Sequence, residues 1–334
     1  MGVSLQTHKI LWGKSGNLCS YKPCRNELVI DETESDDDSI IGEVAHIVAK
    51  KPDGPRGDSD IPIEERDKFK NLILLCRNHH KMIDDQVDTY TIEVLHQMKE
   101  EHLNWVKKNL DIDEEKLKVD LNYAKIIDSI IEKADFENWK AWTSNLVCGG
   151  ANAIHVEDYE NLKTLPEYII SRFWPKVYPK LENSIFNFKN VLNDLLNTFD
   201  KYSEKSAGSN MYRSRKLHHI DRYDEELYNE LLKKNEFHVY LVQDLTFELT
   251  RSANLICEEI RKTINPSFRE NEGMLLVETG PDMTFSYRTL KLEYSSEQKK
   301  ENLPYKGLKK FMQDRDNRDY SHGSGFREDY FIEF

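Results

Sequence analysis

The chain has 334 residues, is 38% hydrophobic and 10% aromatic, and carries a net charge of −13. That length and apolar content allow two domains with separate cores. They leave no apolar run near the roughly eighteen residues that a membrane span needs. Residues 1–110 hold 15 Lys and Arg against 20 Asp and Glu, and the remainder 32 against 40, so neither part has the basic excess of a general nucleic-acid binder.

The N-terminus, MGVSLQTHKILW, lacks a charged stretch followed by an apolar core, so no signal peptide is expected. Gln6 breaks the acylation pattern after Gly2, and a cytoplasmic location is the expectation. WGKSG suggests a phosphate loop but fails, because the required glycine would stand where the chain has His8. Residues 8–110 read as turn-rich and irregular, with ETESDDDS (32–39) a solvated acidic loop. GEVAHIVA (42–49) and NLILLC (71–76) read as strands, separated by a Pro- and Gly-rich excursion. The chain turns helical after Cys76, and Ile92, Leu95, Met98 and Trp105 keep helical spacing behind a Thr91 cap. The charged stretch LDIDEEKLKVD (110–120) sets the expected division into domains 1–112 and 113–334.

Beyond it helices dominate. Leu181, Ile185, Phe188, Leu192, Leu195, Phe199 and Tyr202 form one apolar stripe. EFHVYLVQDLTFELTRSANLICEEI is apolar on several faces and reads as a central buried helix, and residues 273–294 as a hairpin about Gly280-Pro281-Asp282. Arg213, Arg215, Lys216, His218 and His219 make a basic patch that reads as a solvated loop.

The five cysteines, Cys19, Cys24, Cys76, Cys148 and Cys257, are too sparse and odd in number for a disulfide framework. Cys19-x4-Cys24 and Cys76-x2-His79 are short-spaced pairs of the kind that clamp tetrahedral zinc, and a small domain poor in apolar residues needs such a staple. Adjacent helical residues point about 100° apart, so His80 faces elsewhere than His79. His80 shares a face with Asp84 four residues on, a carboxylate placed to support a metal-bound imidazole.

LWGKSGNLCSYKPC, GEVAHIVAKKPDGPRGD, NLILLCRNHHKMID and LHQMKEEH, in that order over about residues 10–105, resemble the HNH endonucleases of the His-Me finger group. The resemblance implies a two-stranded hairpin packed on a helix around one catalytic divalent metal, with a separate zinc stapling hairpin to helix. It assigns His46 as the general base, Asn71 as the residue that orients it, and His80 as a ligand of a catalytic Mg²⁺ or Mn²⁺. Many members carry Asp or His before the base, where this chain has Ala45, leaving Asp84 or a backbone oxygen as the second ligand. Glu43 lies an odd number of residues from His46 along the strand and reads as filler facing away. Arg56 of GPRGD reads either as a phosphate grip or as an exposed turn residue.

The expected fold is therefore α+β, a small zinc-stapled ββα-metal domain followed by a mainly helical domain with a β-hairpin. The expected function is metal-dependent DNA hydrolysis, resembling bacterial anti-phage effectors, with the C-terminal domain sensing a signal, oligomerising or meeting a defence partner. The competing readings are a restriction-type or mobile-element nuclease whose C-terminal domain reads DNA, and a non-catalytic zinc module. The acidic balance of the second part speaks against the former.

Overall fold

A computed structural model describes residues 2–323 apart from 31–38, 111–112, 149–151, 207, 221–223 and 282–283. The acidic stretch at 32–38, part of the charged stretch at 111–112 and Asp282 of the expected hairpin turn lie outside the described residues. The chain forms two compact units, one of residues 1–128 with 264–268, the other of 129–263 with 269–334.

The first unit opens with a helix that the sequence patterning does not announce, α1 (Leu5–Ser15), which buries Leu5, Leu11 and Trp12. Ser4 caps it by accepting the Thr7 N–H, and both carboxylate oxygens of Asp128 accept the N–H groups of Leu5 and Gln6 at 2.9 Å. These bonds satisfy donors that a helix N-terminus leaves without partners. Short strands β1 (Val29–Ile30) and β2 (Ser39–Ile40) pair antiparallel. The strands that matter for the site are β3 (Gly42–His46) and β4 (Leu72–Cys76), antiparallel in the register Gly42↔Cys76 through His46↔Leu72. Leu72 to Leu75 are all fully buried, because α1 and the helix after β4 cover that strand. A β-carbon at Gly42 would stand 2.6 Å from the Trp12 ring, so the strand begins with the residue that lets α1 close on it.

The excursion between β3 and β4, which contains two short 3-10 turns, is held largely by one side chain. Arg66, 3% exposed, donates to the carbonyls of Ala49 (2.8 Å), Gly57 (3.1 Å), Ser59 (3.0 Å) and Ile61 (3.0 Å). A β-carbon at Gly57 would meet Lys51 O at 2.4 Å, which fixes glycine there. Helices α2 (Arg77–Asp85) and α3 (Ile92–Asn109) follow, the latter capped by Thr91 as its sequence implies. His102 of α3 is buried and donates from Nε2 to Ser15 O at 3.0 Å.

Helix α4 (Glu114–Lys133) contains the division between the units. The second unit contains α5 (Trp139–Val147), β5 (Ala153–His155), α6 (Val156–Ile170), α7 (Pro179–Lys201), β6 (Ser203–Lys205), β7 (Met211–Ser214), α8 (Glu225–Thr263), β8 (Leu276–Thr279), β9 (Arg288–Lys291) and α9 (Leu308–Asp314). The stripe from Leu181 to Phe199 on α7 is buried and packs on α8, whose residues 237 to 257 are buried on nearly every face. Several polar residues inside α8 bond to backbone carbonyls. Thr246 and Thr250 bond back to Val242 O and Thr246 O, and the Asn254 amide donates to Leu275 O and Leu292 O at 2.9 Å. The hairpin β8–β9 forms as expected, whereas the sheet β5-β7-β6 has no counterpart in the sequence patterning.

His238 in α8 is buried edge-on to the Tyr202 ring at 5.0 Å, and burial, helped by Lys201, pushes its pKa down to about 3 from 6.5. The unfolded chain therefore binds a proton here between those values that the folded chain refuses. This contribution to stability is complete above pH 6.5 and is lost as pH falls toward 3. From pH 7 to 5 the loss is about 2 kcal/mol. Thermal melts of wild type and His238→Gln at the two pH values should differ by that amount in their pH dependence; equal dependence would reject the assignment.

Candidate metal and catalytic site

Two groups of polar side chains flank the β3–β4 hairpin and α2. In the first, Cys19, Cys24, Cys76 and His79 place their ligand atoms within 4.8 Å of one another. Cys76 Sγ lies 3.0 Å and Cys19 Sγ 3.6 Å from His79 Nδ1, and Tyr21 stacks on the imidazole at 4.3 Å. The sequence supplies both halves locally. Cys19 and Cys24 bracket a tight turn in which Cys24 N–H donates to Tyr21 O, while Cys76 ends β4 and His79 stands in the first turn of α2. All three cysteines are free thiols. Burial pushes the Cys19 thiol up to about 12, an effect that a cation at the centre would reverse. Ligands about 2.0–2.3 Å from zinc stand about 3.3–3.8 Å apart on a tetrahedron, and the separations here, from 3.0 Å to at most 4.8 Å, bracket that spacing, so the donor set could hold such an ion.

The second group begins at His46, the last residue of β3. Its Nε2 lies 2.9 Å from Asp67 Oδ1, and Lys50 holds the other carboxylate oxygen. Burial alone would raise the Asp67 pKa, but the hydrogen bonds from Lys50 and His46 hold it below the usual carboxylate range. An ionised carboxylate only accepts, so His46 donates to Asp67 from Nε2. Asn71 is buried; it accepts the Val48 N–H at 3.0 Å and donates to Val48 O at 2.8 Å and Arg66 O at 2.9 Å. Its backbone carbonyl accepts the Ile47 N–H at 2.8 Å. Asn71 thus fixes the two residues after His46. The Lys99 ammonium bonds Phe69 O and secures the turn that precedes Asn71.

His80 is bracketed by carboxylates on both ring nitrogens, Glu43 Oε2 at 2.7 Å from Nδ1 and Asp84 Oδ2 at 3.4 Å from Nε2. The Asp84 hydrogen bond, opposed by burial and aided by Glu43, raises the His80 pKa. Glu43 and Asp84 are held low in turn, against burial, by His80 together with Arg77 and Arg56 respectively.

Arg56 corrects one expectation. Its side chain is 5% exposed and points its N–H groups inward, from Nε to Ile47 O (2.7 Å), from Nη1 to Ile83 O (2.6 Å) and from Nη2 to Asp84 Oδ1 (2.6 Å). It is a clasp between the end of β3 and the end of α2, and its guanidinium is not the exposed turn group of one reading.

Residues 28–87 match the HNH endonuclease family. The HNH segment contains His46, Asn71 and His80 together with Cys76 and His79, while Cys19 and Cys24 precede it. None of the curated proteins matches this chain. The HNH match supports a nuclease-type hydrolase acting on nucleic acid, a class that uses divalent metals. No described helix is long and apolar enough to cross a membrane.

Two residues of this HNH site escape the sequence patterning. Strand alternation makes Glu43 filler, yet its carboxylate meets His80 Nδ1 at 2.7 Å. Asp67 lies in the irregular excursion, where no periodicity marks a side chain that will fold back on His46. The basic residues at 213–219 stay outside both groups; Arg213 and Ser214 belong to β7, with Arg213 paired in register with Glu204 of β6.

Proposed function

We propose that this protein is a metal-dependent DNA endonuclease with His46 as general base, Asn71 as its backbone anchor and His80 as a ligand of the catalytic metal. The observation that carries the reading is the β3–β4 register, which sets His46 opposite Leu72 beside Asn71 and leads straight into the helix bearing His80. Asp67 fixes the tautomer of His46, so the bare Nδ1 takes a proton from water. The water oxygen then adds to phosphorus as the bond to the 3′ oxygen breaks, and that oxygen takes a proton from solvent, leaving a 5′-phosphate and a 3′-hydroxyl.

His80 and Asp84 offer a nitrogen and an oxygen donor that suit Mg²⁺ or Mn²⁺, and Glu43 on the other ring nitrogen is the usual outer partner of a metal-bound imidazole. Bound there, such an ion would stabilise charge on the phosphate and the leaving oxygen. The four-ligand cluster of Cys19, Cys24, Cys76 and His79 would hold a structural Zn²⁺. The second unit, in this proposal, controls the nuclease in an anti-phage role through self-association or a partner protein. A DNA-reading second unit of the restriction type is the alternative, opposed by that unit's acidic balance.

The test is plasmid cleavage by the full chain with Mg²⁺ or Mn²⁺, and with EDTA. Nicked or linear product carrying ends that a ligase can rejoin is expected only with added metal. No cleavage under any assembly state or salt concentration, or cleavage undiminished by EDTA, would overturn the proposal.

A further inference from the structure

A nuclease of net charge −13 has to meet a polyanion with cations that are local. The connection between α6 and α7 supplies them. Residues 168–181 carry Arg172, Lys176 and Lys180 and no acid, and all three cations are exposed. Between them Phe173 is 80% exposed and Val177 52%, next to Ile170 at 62%.

This segment is a shaped surface. Trp174 turns inward, its indole N–H donating to Ile169 O at 3.0 Å and its ring lying 5.7 Å from Phe186. The Lys176 N–H donates to Glu182 at 2.7 Å, which draws that buried carboxylate inward, and Pro175 and Pro179 stiffen the turn. Lys180 stands in the first turn of α7, where the helix dipole is already positive. The nearest acid in sequence on the other side is the exposed Glu167, five residues before Arg172. Another basic stretch, 213–216, has Glu204 in register with Arg213 and presents no exposed large apolar side chain.

We propose that the α6–α7 connection is a DNA-contacting surface, with Arg172, Lys176 and Lys180 taking backbone phosphates and Phe173 packing on the sugar and base edges between them. Cations alternating with an exposed aromatic fit a polyanion that also carries flat apolar faces. The same cations oppose face-to-face pairing of two copies through this patch. The inference rests on the nuclease reading for its choice of DNA, but its test reads binding and not cleavage.

The full chain carrying His46→Ala, which keeps substrate intact, is titrated against a fluorescent DNA duplex at several salt concentrations. Adding Arg172→Glu, Lys176→Glu and Lys180→Glu together should weaken binding on the order of tenfold and flatten the salt dependence by about 2–3 in log–log slope, at roughly 0.9 for each phosphate no longer neutralised. Phe173→Ala should weaken binding about 5-fold or more while leaving the slope unchanged. Melting temperature and zinc content establish that each variant is folded. Unchanged affinity and slope in the triple variant overturn the proposal. So does a loss confined to phosphatidylserine vesicles or to a self-associated form, which would assign the patch to a membrane or to a second copy. A wild type that binds through this patch yet never cleaves would sink the nuclease reading and leave this one standing.

Discussion

Replacing His46 by alanine is expected to lower DNA cleavage roughly 10²–10⁴-fold, the range for removal of a positioned general base. The fold should survive, because His46 is the partly exposed last residue of β3 and the strand's core packing comes from Ala45 and Ile47, both fully buried. The partner left behind, Asp67, keeps Lys50 and does not become an unpaired buried charge. The measurement is single-turnover cleavage beside a thermal melt and a metal analysis of the same sample. Full activity would remove His46 from the role; a lowered melting temperature would assign it to structure instead.

The largest effect on folding is expected at the cysteine–histidine cluster. Zinc held by such ligands contributes apparent binding energies of about 10–16 kcal/mol, comparable with the whole stability of an ordinary domain. Cys19 links three parts of the unit, since its sulfur lies against His79 Nδ1 and accepts the Cys76 N–H at 3.4 Å. Cys19→Ser or His79→Ala should therefore yield insoluble or unfolded protein. Wild type should carry one zinc per chain, released together with its thiols by a mercurial and retained under chelation mild enough to strip Mg²⁺. A folded and active wild type without zinc refutes the cluster's assignment.

What the sequence discloses follows from how local each signal is. Strands β3 and β4 are legible because β-branched and apolar residues run between turn formers, and the cysteine–histidine cluster because its pairs are short-spaced. Helix α1 is not, because much of its order comes from afar: its first two N–H groups bond to Asp128, more than a hundred residues away. Asp67, Glu43 and Arg66 are invisible for a related reason. Each acts through a side chain that crosses from one segment to another, and neither propensity nor period encodes such a reach. Arg56 shows the opposite error. Its charge and its Gly-rich surroundings suggest an outward-facing residue, but its φ of +53° and three internal acceptors turn it into the core of the site.

The tie from Asp128 to the start of α1, together with the Lys9–Asp120 ion pair at 3.0 Å, bears on how the nuclease half can be isolated. A fragment ending at residue 112 would keep every side chain proposed to bind metal yet discard both ties, leaving the amino end of α1 to fray. Since α1 covers β4 and seats Trp12 against Gly42, that fraying would reach the strand that ends in His46. Weak activity in so short a fragment would then report a loosened support and not a missing regulator, so the informative cut lies beyond residue 128.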